Sequence, residues 1–405
     1  VRAEVTAALG RALDGEDLDG DALVALYDAA MADAVARSAL VATADALRRR
    51  QVGDVVTWVV NRNINFTNVC VKSCRFCAFS RDFRSEAGYM LPPAEIARRA
   101  EEAAAYGATE VCLQAGLAPG VSASLYTDVL VAVKERVPSM HVHAYSPEEI
   151  KYVARLAGQT VPEVLRDLKA AGLGSLPGTS AEILDDALRR QLAPGRITVA
   201  EWTHVLRSAH ELGIPTTSTM MFGHLDRPVH VARHLLHVRA LQRETGGITE
   251  FVPLSFVHEE APRLASRPGV RPGPSREEVV VVHALSRVAL GNDVPNLQVS
   301  WVKEGLAAAG ELLGAGVNDL GGTLMNESIS TQAGAAYGQI ATPAALRAIA
   351  RAAGRQPAQR DTRYRLLRVY EDDDGPEPLD GLTDPEAVFG SYGALAADPA
   401  FRFSP

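Results

Sequence analysis

Three of the chain's four cysteines fall within one short run, NINFTNVCVKSCRFCAFSR, as Cys70, Cys74 and Cys77. Their spacing is C-x3-C-x2-C. A structural zinc site takes four protein ligands, commonly from two short knuckles, and no fourth donor lies close by: His141 and His143 come far along the chain. A dithiol redox pair needs only two thiols. A four-iron cluster ordinarily takes four thiolates; held by three, it keeps one iron open to a substrate or cofactor. A chance grouping of buried cysteines and an incomplete zinc site are the plain alternatives. The open cluster is favoured because the trio follows a strand in a chain with almost no other cysteine. Cys112, between Val111 and Leu113, reads as a small buried strand residue.

The elements that must position these thiols repeat with a regular rhythm. Short β-prone segments, NINF (63–66), TEVCLQ (109–114), MHVHAY (140–145), GSLPG (174–178), TTSTMMF (216–222), EFVPLSF (250–256), LQVSW (297–301) and DLGGTL (319–324), alternate with Ala-rich amphipathic helices. Strand then helix, repeated eight times, predicts a closed parallel (β/α)8 TIM-type barrel within the α/β class. The expected organisation is a helical extension over 1–55, the barrel over 56–364, and a loosely ordered acidic tail over 365–405. The tail reading rests on its Asp, Pro and Gly content.

The barrel reading matters for chemistry, because active sites of such barrels gather at the C-terminal strand ends. His143 and Tyr145 follow the third strand and His224 the fifth; His258 follows the sixth. These four are the candidate catalytic residues. Further polar candidates at strand ends are His141, Thr219, Ser255, Gln298, Ser300, Lys303, Asn318, Asp319, Asn326 and Glu327. As a set they describe a polar pocket; each alone is as well explained by satisfying backbone groups.

Composition narrows the function classes. With 41 basic and 49 acidic residues the net charge is −8, and no basic block occurs. Neither nucleic acid nor a membrane surface is an expected partner. No apolar run approaches the roughly 18–20 residues of a membrane span, and the start shows no signal-peptide pattern. The chain reads as cytoplasmic.

The cysteine run resembles the radical S-adenosylmethionine (SAM) superfamily. Its flanks, NRNINFTNVCVKSCRFCAFSRD, together with GLGSLPGTSAEIL, IPTTSTMMFGH, TGGITEFVPLSFVHEEAP, LQVSWVKEG and NDLGGTLMNESIS, are similar to the tyrosine-activating half of FO synthase over roughly residues 55–364. The resemblance implies a radical SAM barrel with a 4Fe–4S cluster on Cys70, Cys74 and Cys77, and with SAM chelated by the open iron. It further implies cofactor contacts from Phe76, Gln114, Gly116 and Glu182. The activity implied is radical cleavage of L-tyrosine and coupling of its 4-hydroxybenzyl part to 5-amino-6-(D-ribitylamino)uracil, a step of deazaflavin FO biosynthesis. The implied partners are these two substrates, an electron donor, and the other FO synthase half, separate or fused. A radical enzyme of the futalosine route to menaquinone shares the cysteine frame and is the alternative. A non-catalytic iron–sulfur or zinc-binding protein is the reading from another class.

Overall fold

The computed structural model describes residues 3–404 apart from 260, 292, 372 and 373. Three helices open the chain: α1 (Ala3–Leu13), α2 (Gly20–Ala32) and α3 (Ala34–Val52). Asp19 and Asp33 cap α2 and α3 by accepting from Ala22 N and Val35 N, satisfying otherwise orphaned amides. Their apolar faces, with Leu23, Leu26, Leu40 and Ala44 fully buried, join the hydrophobic core of the rest of the chain.

The barrel elements follow in order: β1 (Val55–Val59), β2 (Asn61–Ile64), α4 (Pro93–Ala105), β3 (Glu110–Leu113), α5 (Ser124–Arg136), β4 (His141–Ala144), α6 (Pro147–Ala157), α7 (Val161–Ala170), α8 (Asp186–Leu192), α9 (Val199–Glu211), β5 (Thr216–Phe222), α10 (Pro228–Thr245), β6 (Ile248–Ser255), α11 (Pro262–Ala265), α12 (Arg276–Leu290), α13 (Trp301–Glu304), α14 (Leu306–Leu312), β7 (Asp319–Gly322), α15 (Ile329–Gln332) and α16 (Pro343–Ala352). The ring closes through parallel pairings throughout. β2 pairs with β3 and β3 with β4, then His143 bridges Ser175 and Leu176 bridges Thr216. β5 pairs with β6, Phe251 bridges Leu297, and Gln298 bridges Asp319. β7 returns to β1, and Met325 to Arg62. All eight segments expected as barrel strands are therefore ring members, and the TIM-type barrel stands. The fourth and seventh segments are reduced to one bridge with each neighbour.

Two features depart from expectation. A hairpin, β8 (Gln356–Arg360) with β9 (Leu366–Val369), pairs β8 in parallel with β1 and carries Arg360 into the lower barrel. The segment 365–405, expected to be loosely ordered, folds into β9, α17 (Pro385–Phe389), α18 (Tyr392–Ala397) and short 3-10 turns. Its aromatic residues override its acidic, Pro/Gly-rich composition: Tyr370, Phe389 and Tyr392 are buried. Tyr370 stacks on Trp58 at 5.3 Å, and Phe389 receives the Arg62 guanidinium at 4.8 Å. Its end binds the loop before α4, with Met90 N donating to Phe401 O and Phe403 N to Gly88 O.

Candidate active site

β2 ends at Ile64, and the chain then runs through residues 65–90 with almost no regular structure. That run folds on itself, with Cys70 N donating to Arg81 O and Arg81 N to Asn68 O, and is tied to the barrel by Val71 N donating to Leu117 O and Gly116 N to Thr67 O. A Cβ at Gly116 would land on the Val69 carbonyl oxygen, so only glycine lets the end of the second barrel strand lie against the cysteine loop. Gly178 likewise has the Thr217 carbonyl oxygen where a Cβ would sit, which lets the fourth barrel segment lie against β5.

Cys70, Cys74 and Cys77 open onto one cavity of about 440 Å³ at the C-terminal ends of the strands. All three are free thiols. Burial pushes Cys74 up to about 12 and raises Cys70, while the Arg196 guanidinium opposes both shifts. No three His, Cys, Asp or Glu side chains converge on a single-ion site among the described residues. The three thiols instead sit round one loop facing a common space. An all-sulfur donor set of three fits an iron–sulfur cluster with one iron lacking a protein ligand.

Arg196 is the charge that organises this mouth. It donates to Glu182 Oε1 at 2.6 Å and to Ser180 Oγ at 2.5 Å, with Glu148 3.6 Å away. Its guanidinium lies 5.8 Å from the Phe76 ring centre. Ser180 and Glu182 hold positive φ angles of 63° and 42°, a conformation non-glycine residues rarely adopt. The turn is kept there by Arg189, which donates to the carbonyls of Ser180 and Ala181. Gln114 Oε1 accepts from Thr179 Oγ1 at 3.0 Å. Phe76, Gln114, Gly116 and Glu182 all line the cavity. The amides of Ala115 and Gly116, however, already donate to Glu149 Oε1 and Thr67 O.

Below the mouth, Asn63, Cys112 and His143 lie side by side in register on β2, β3 and β4 and all face the cavity. Cys112 is thus an inward wall residue rather than a buried strand filler, accepting from Gln114 Nε2 at 3.4 Å. His143 Nδ1 and His141 Nε2 both meet Ser175 Oγ, at 2.6 and 2.7 Å. Burial pushes His143 down to about 4, so it is a neutral imidazole at pH 7. Glu149, sealed beneath Ser146, is lifted by burial to about 7.

The lower barrel is an ionic lattice. Arg360 binds Asp319 at 2.5 and 2.9 Å and Glu250 at 3.2 Å. Thr57 donates to Asp319, and Tyr364 to Glu250. Glu110 is buried and accepts from Asn61 Nδ2 at 2.9 Å and from Thr362 Oγ1 at 2.6 Å.

Three expected catalytic candidates do not reach the cavity. Tyr145 is turned outward at φ 22°, and its hydroxyl donates to Tyr126 O within a cluster with Phe66. His224 is buried, with Nε2 against Met221 O and Nδ1 accepting from Leu225 N. His258 lies beyond β6 beside Glu259 and outside the lining. Strand-end position was a poor guide for these, since a residue past the last pairing no longer keeps the alternation that aims it inward. Of the other polar candidates, Thr219, Gln298, Ser300, Lys303 and Glu327 line the cavity; His141, Ser255, Asn318, Asp319 and Asn326 do not. Sequence reading missed Arg196, Thr179, Glu149, Glu110, Glu250 and Arg360. Only Glu149 had a local signal, and Ser146-x-x-Glu149 reads first as a capping box.

A closed parallel barrel with three thiols on the loop after its first strand defines a cluster-bearing barrel enzyme. Residues 64–235 match the model of the Radical SAM superfamily, and residues 245–372 that of the CofH/MqnC C-terminal region. The 5-amino-6-(D-ribitylamino)uracil–L-tyrosine 4-hydroxyphenyl transferase of Methanopyrus kandleri is 52% identical over 80% of this chain and 87% of its own length. An FO synthase of Mycobacterium leprae is 47% identical over 87% of this chain; the match spans 42% of that longer protein. The crystal structure of HydG, a maturase of the [FeFe]-hydrogenase, shares the fold with a TM-score of 0.68, over 88% of this chain and 76% of that one, at 14% identity. The chain belongs to the radical SAM superfamily, in the family of these tyrosine 4-hydroxyphenyl transferases. Membership brings a 4Fe–4S cluster and SAM as cofactors.

Proposed function

We propose that this chain transfers the 4-hydroxybenzyl group of L-tyrosine to 5-amino-6-(D-ribitylamino)uracil in the making of deazaflavin FO. The observation that carries the reading is one cavity joining the three thiols to walls rich in hydrogen-bonding groups, in a chain 52% identical to a transferase of that name. When bound, the cluster and SAM supply a hydrogen-abstracting radical. The protein's share is to hold and shield. Cys70, Cys74 and Cys77 hold the cluster; Phe76, Gln114 and the Glu182–Arg196 pair border the space for SAM. Neutral His143, Asn63 and Gln298 offer hydrogen bonds to uncharged uracil and ribityl groups. Of the four expected catalytic candidates, His143 is the one that lines the cavity, which supports giving it the substrate contact.

No helix among the described residues is long and apolar enough to cross a membrane. With four free thiols, a cytoplasmic setting follows as part of the proposal. So do an electron donor and the other FO synthase half as functional partners. The similarity to a tyrosine transferase favours this reading over the menaquinone route, and a cavity of about 440 Å³ beside the thiols disfavours a bare electron carrier.

Anaerobic reconstitution followed by mass spectrometry of 5'-deoxyadenosine tests it. Release should require L-tyrosine, and the coupled product should also require the uracil. A site that hydrogen-bonds a hydroxyl rejects analogues lacking it by roughly 10⁴-fold or more, so phenylalanine should be a poor substitute. Release indifferent to tyrosine but triggered by a futalosine-type substrate overturns the reading.

A further inference from the structure

Four cationic side chains border the cavity: Lys72, Arg196, Lys303 and Arg360. Three are spoken for. Lys72 meets Glu148 at 3.0 Å, Arg196 meets Glu182 at 2.6 Å, and Arg360 meets Asp319 and Glu250. The ammonium of Lys303, on the short helix α13 after the seventh barrel segment, makes no hydrogen bond or ion pair with the described residues.

Its two acidic neighbours are committed elsewhere. Glu304 Oε1 accepts from Ser255 Oγ. Glu327 accepts from Ser330 N at 2.8 Å and from the Thr331 amide and hydroxyl, at 3.3 and 3.2 Å. Both carboxylates bias Lys303 toward its charged form, yet burial outweighs them and lowers its affinity for the proton. An ammonium in that position has hydrogen-bonding capacity to spare and gains from an anionic ligand.

Of the groups that the proposed reaction brings here, ribityl and uracil are uncharged, and the resemblance leaves the methionine carboxylate of SAM to the open iron. One anionic group then lacks a partner. We propose that Lys303 is the anchor for the α-carboxylate of the amino-acid substrate. This rests on the tyrosine reading above. A cationic anchor on α13 holds the amino-acid end of tyrosine on the β6–β7 side of the cavity, and the aromatic ring extends into the space beside it. Lys303 thereby selects α-amino acids against the matching amines.

The test compares equilibrium dissociation constants of L-tyrosine and tyramine, which lacks the carboxylate, for cluster-loaded protein with SAM bound. A bond to a charged group accounts for roughly 10- to 100-fold in affinity. Wild-type protein should favour tyrosine by about that factor. Lys303→Met should weaken tyrosine by the same factor, change tyramine less than about threefold, and leave SAM affinity and iron content unaltered. Lys303→Arg should keep the preference. If the Met variant does not load iron, Lys303→Gln takes its place with the same expectation. A neutral variant that still prefers tyrosine by the wild-type ratio overturns the anchor alone, as does one that loses SAM affinity instead. Wild-type protein that fails to bind tyrosine overturns the function reading, and the anchor falls with it.

Discussion

At the floor of the barrel, the three acids Glu110, Glu250 and Asp319 each have partners within hydrogen-bond reach, and Arg360 ties two of them together. At the mouth, three thiols face a shared space, Arg196 Nε is buried without a hydrogen bond, its nearest acceptor being Glu148 at 3.6 Å, and Ser180 and Glu182 sit at positive φ. The floor satisfies itself, so its interactions serve stability. The mouth leaves capacity and strain in place, which is where binding and chemistry are expected to draw on them.

The comparison can be broken first at the mouth. Alanine at Cys70, Cys74 or Cys77 should abolish tyrosine-dependent 5'-deoxyadenosine release and the paramagnetic signal of the reduced cluster, while the melting temperature of the apoprotein moves little. Cys112→Ala should leave iron content unchanged. Iron loss there would show that the ligand set is drawn wrongly.

The floor should answer in the opposite sense. Asp319→Ala strips Arg360 of its closest partner, and breaking a buried pair in this way costs about 3–5 kcal/mol. Chemical denaturation should show that loss, with cluster loading retained in whatever fraction folds. A drop below about 1 kcal/mol would mean that Glu250 alone suffices for Arg360.

The C-terminal strap links the two regions. Tyr392 packs 5.5 Å from Phe79 and meets Asn68, whose side chain also holds the loop at Ala87 and Tyr89. A chain ending at Asp384 should fold, since each aromatic contact is worth only about 0.5–1.5 kcal/mol. It should lose iron several-fold faster on dilution. Unchanged iron retention would return the strap to the dispensable role its composition suggests.

The smallest effect concerns pH. Folded His143 titrates near 4, against about 6.5 in the unfolded chain. Between those values the unfolded state binds more protons, so stability falls as pH drops through that window. Urea titrations at pH 7 and pH 5 should show a smaller difference for His143→Asn than for the wild type.

How much of this the sequence carried follows from the range of each signal. The cysteine loop was legible because its three thiols lie within eight residues. The barrel was legible because its eight strand segments repeat locally, even where two of them make only single bridges. Arg360 was not, since nothing in QPAQR says that β8 slips beside β1 and turns a guanidinium inward. Arg196 sits in a loop whose sequence, APGRI, looks like any turn. The tail was misread for a related reason: composition averages over Phe389 and Tyr392, and two aromatic residues with a surface to meet are enough to order a strap.

Gly116 and Gly178 carry a consequence for changing what this cavity accepts. At each position the next backbone occupies the place of a Cβ, and every other amino acid has one. No codon change at either site is conservative, so these two stretches of the rim are closed to natural drift and to directed evolution alike. Variation in substrate must then come from side chains elsewhere on the cavity wall, with Thr219, Val252, Leu254 and Gln298 as the sites worth randomising.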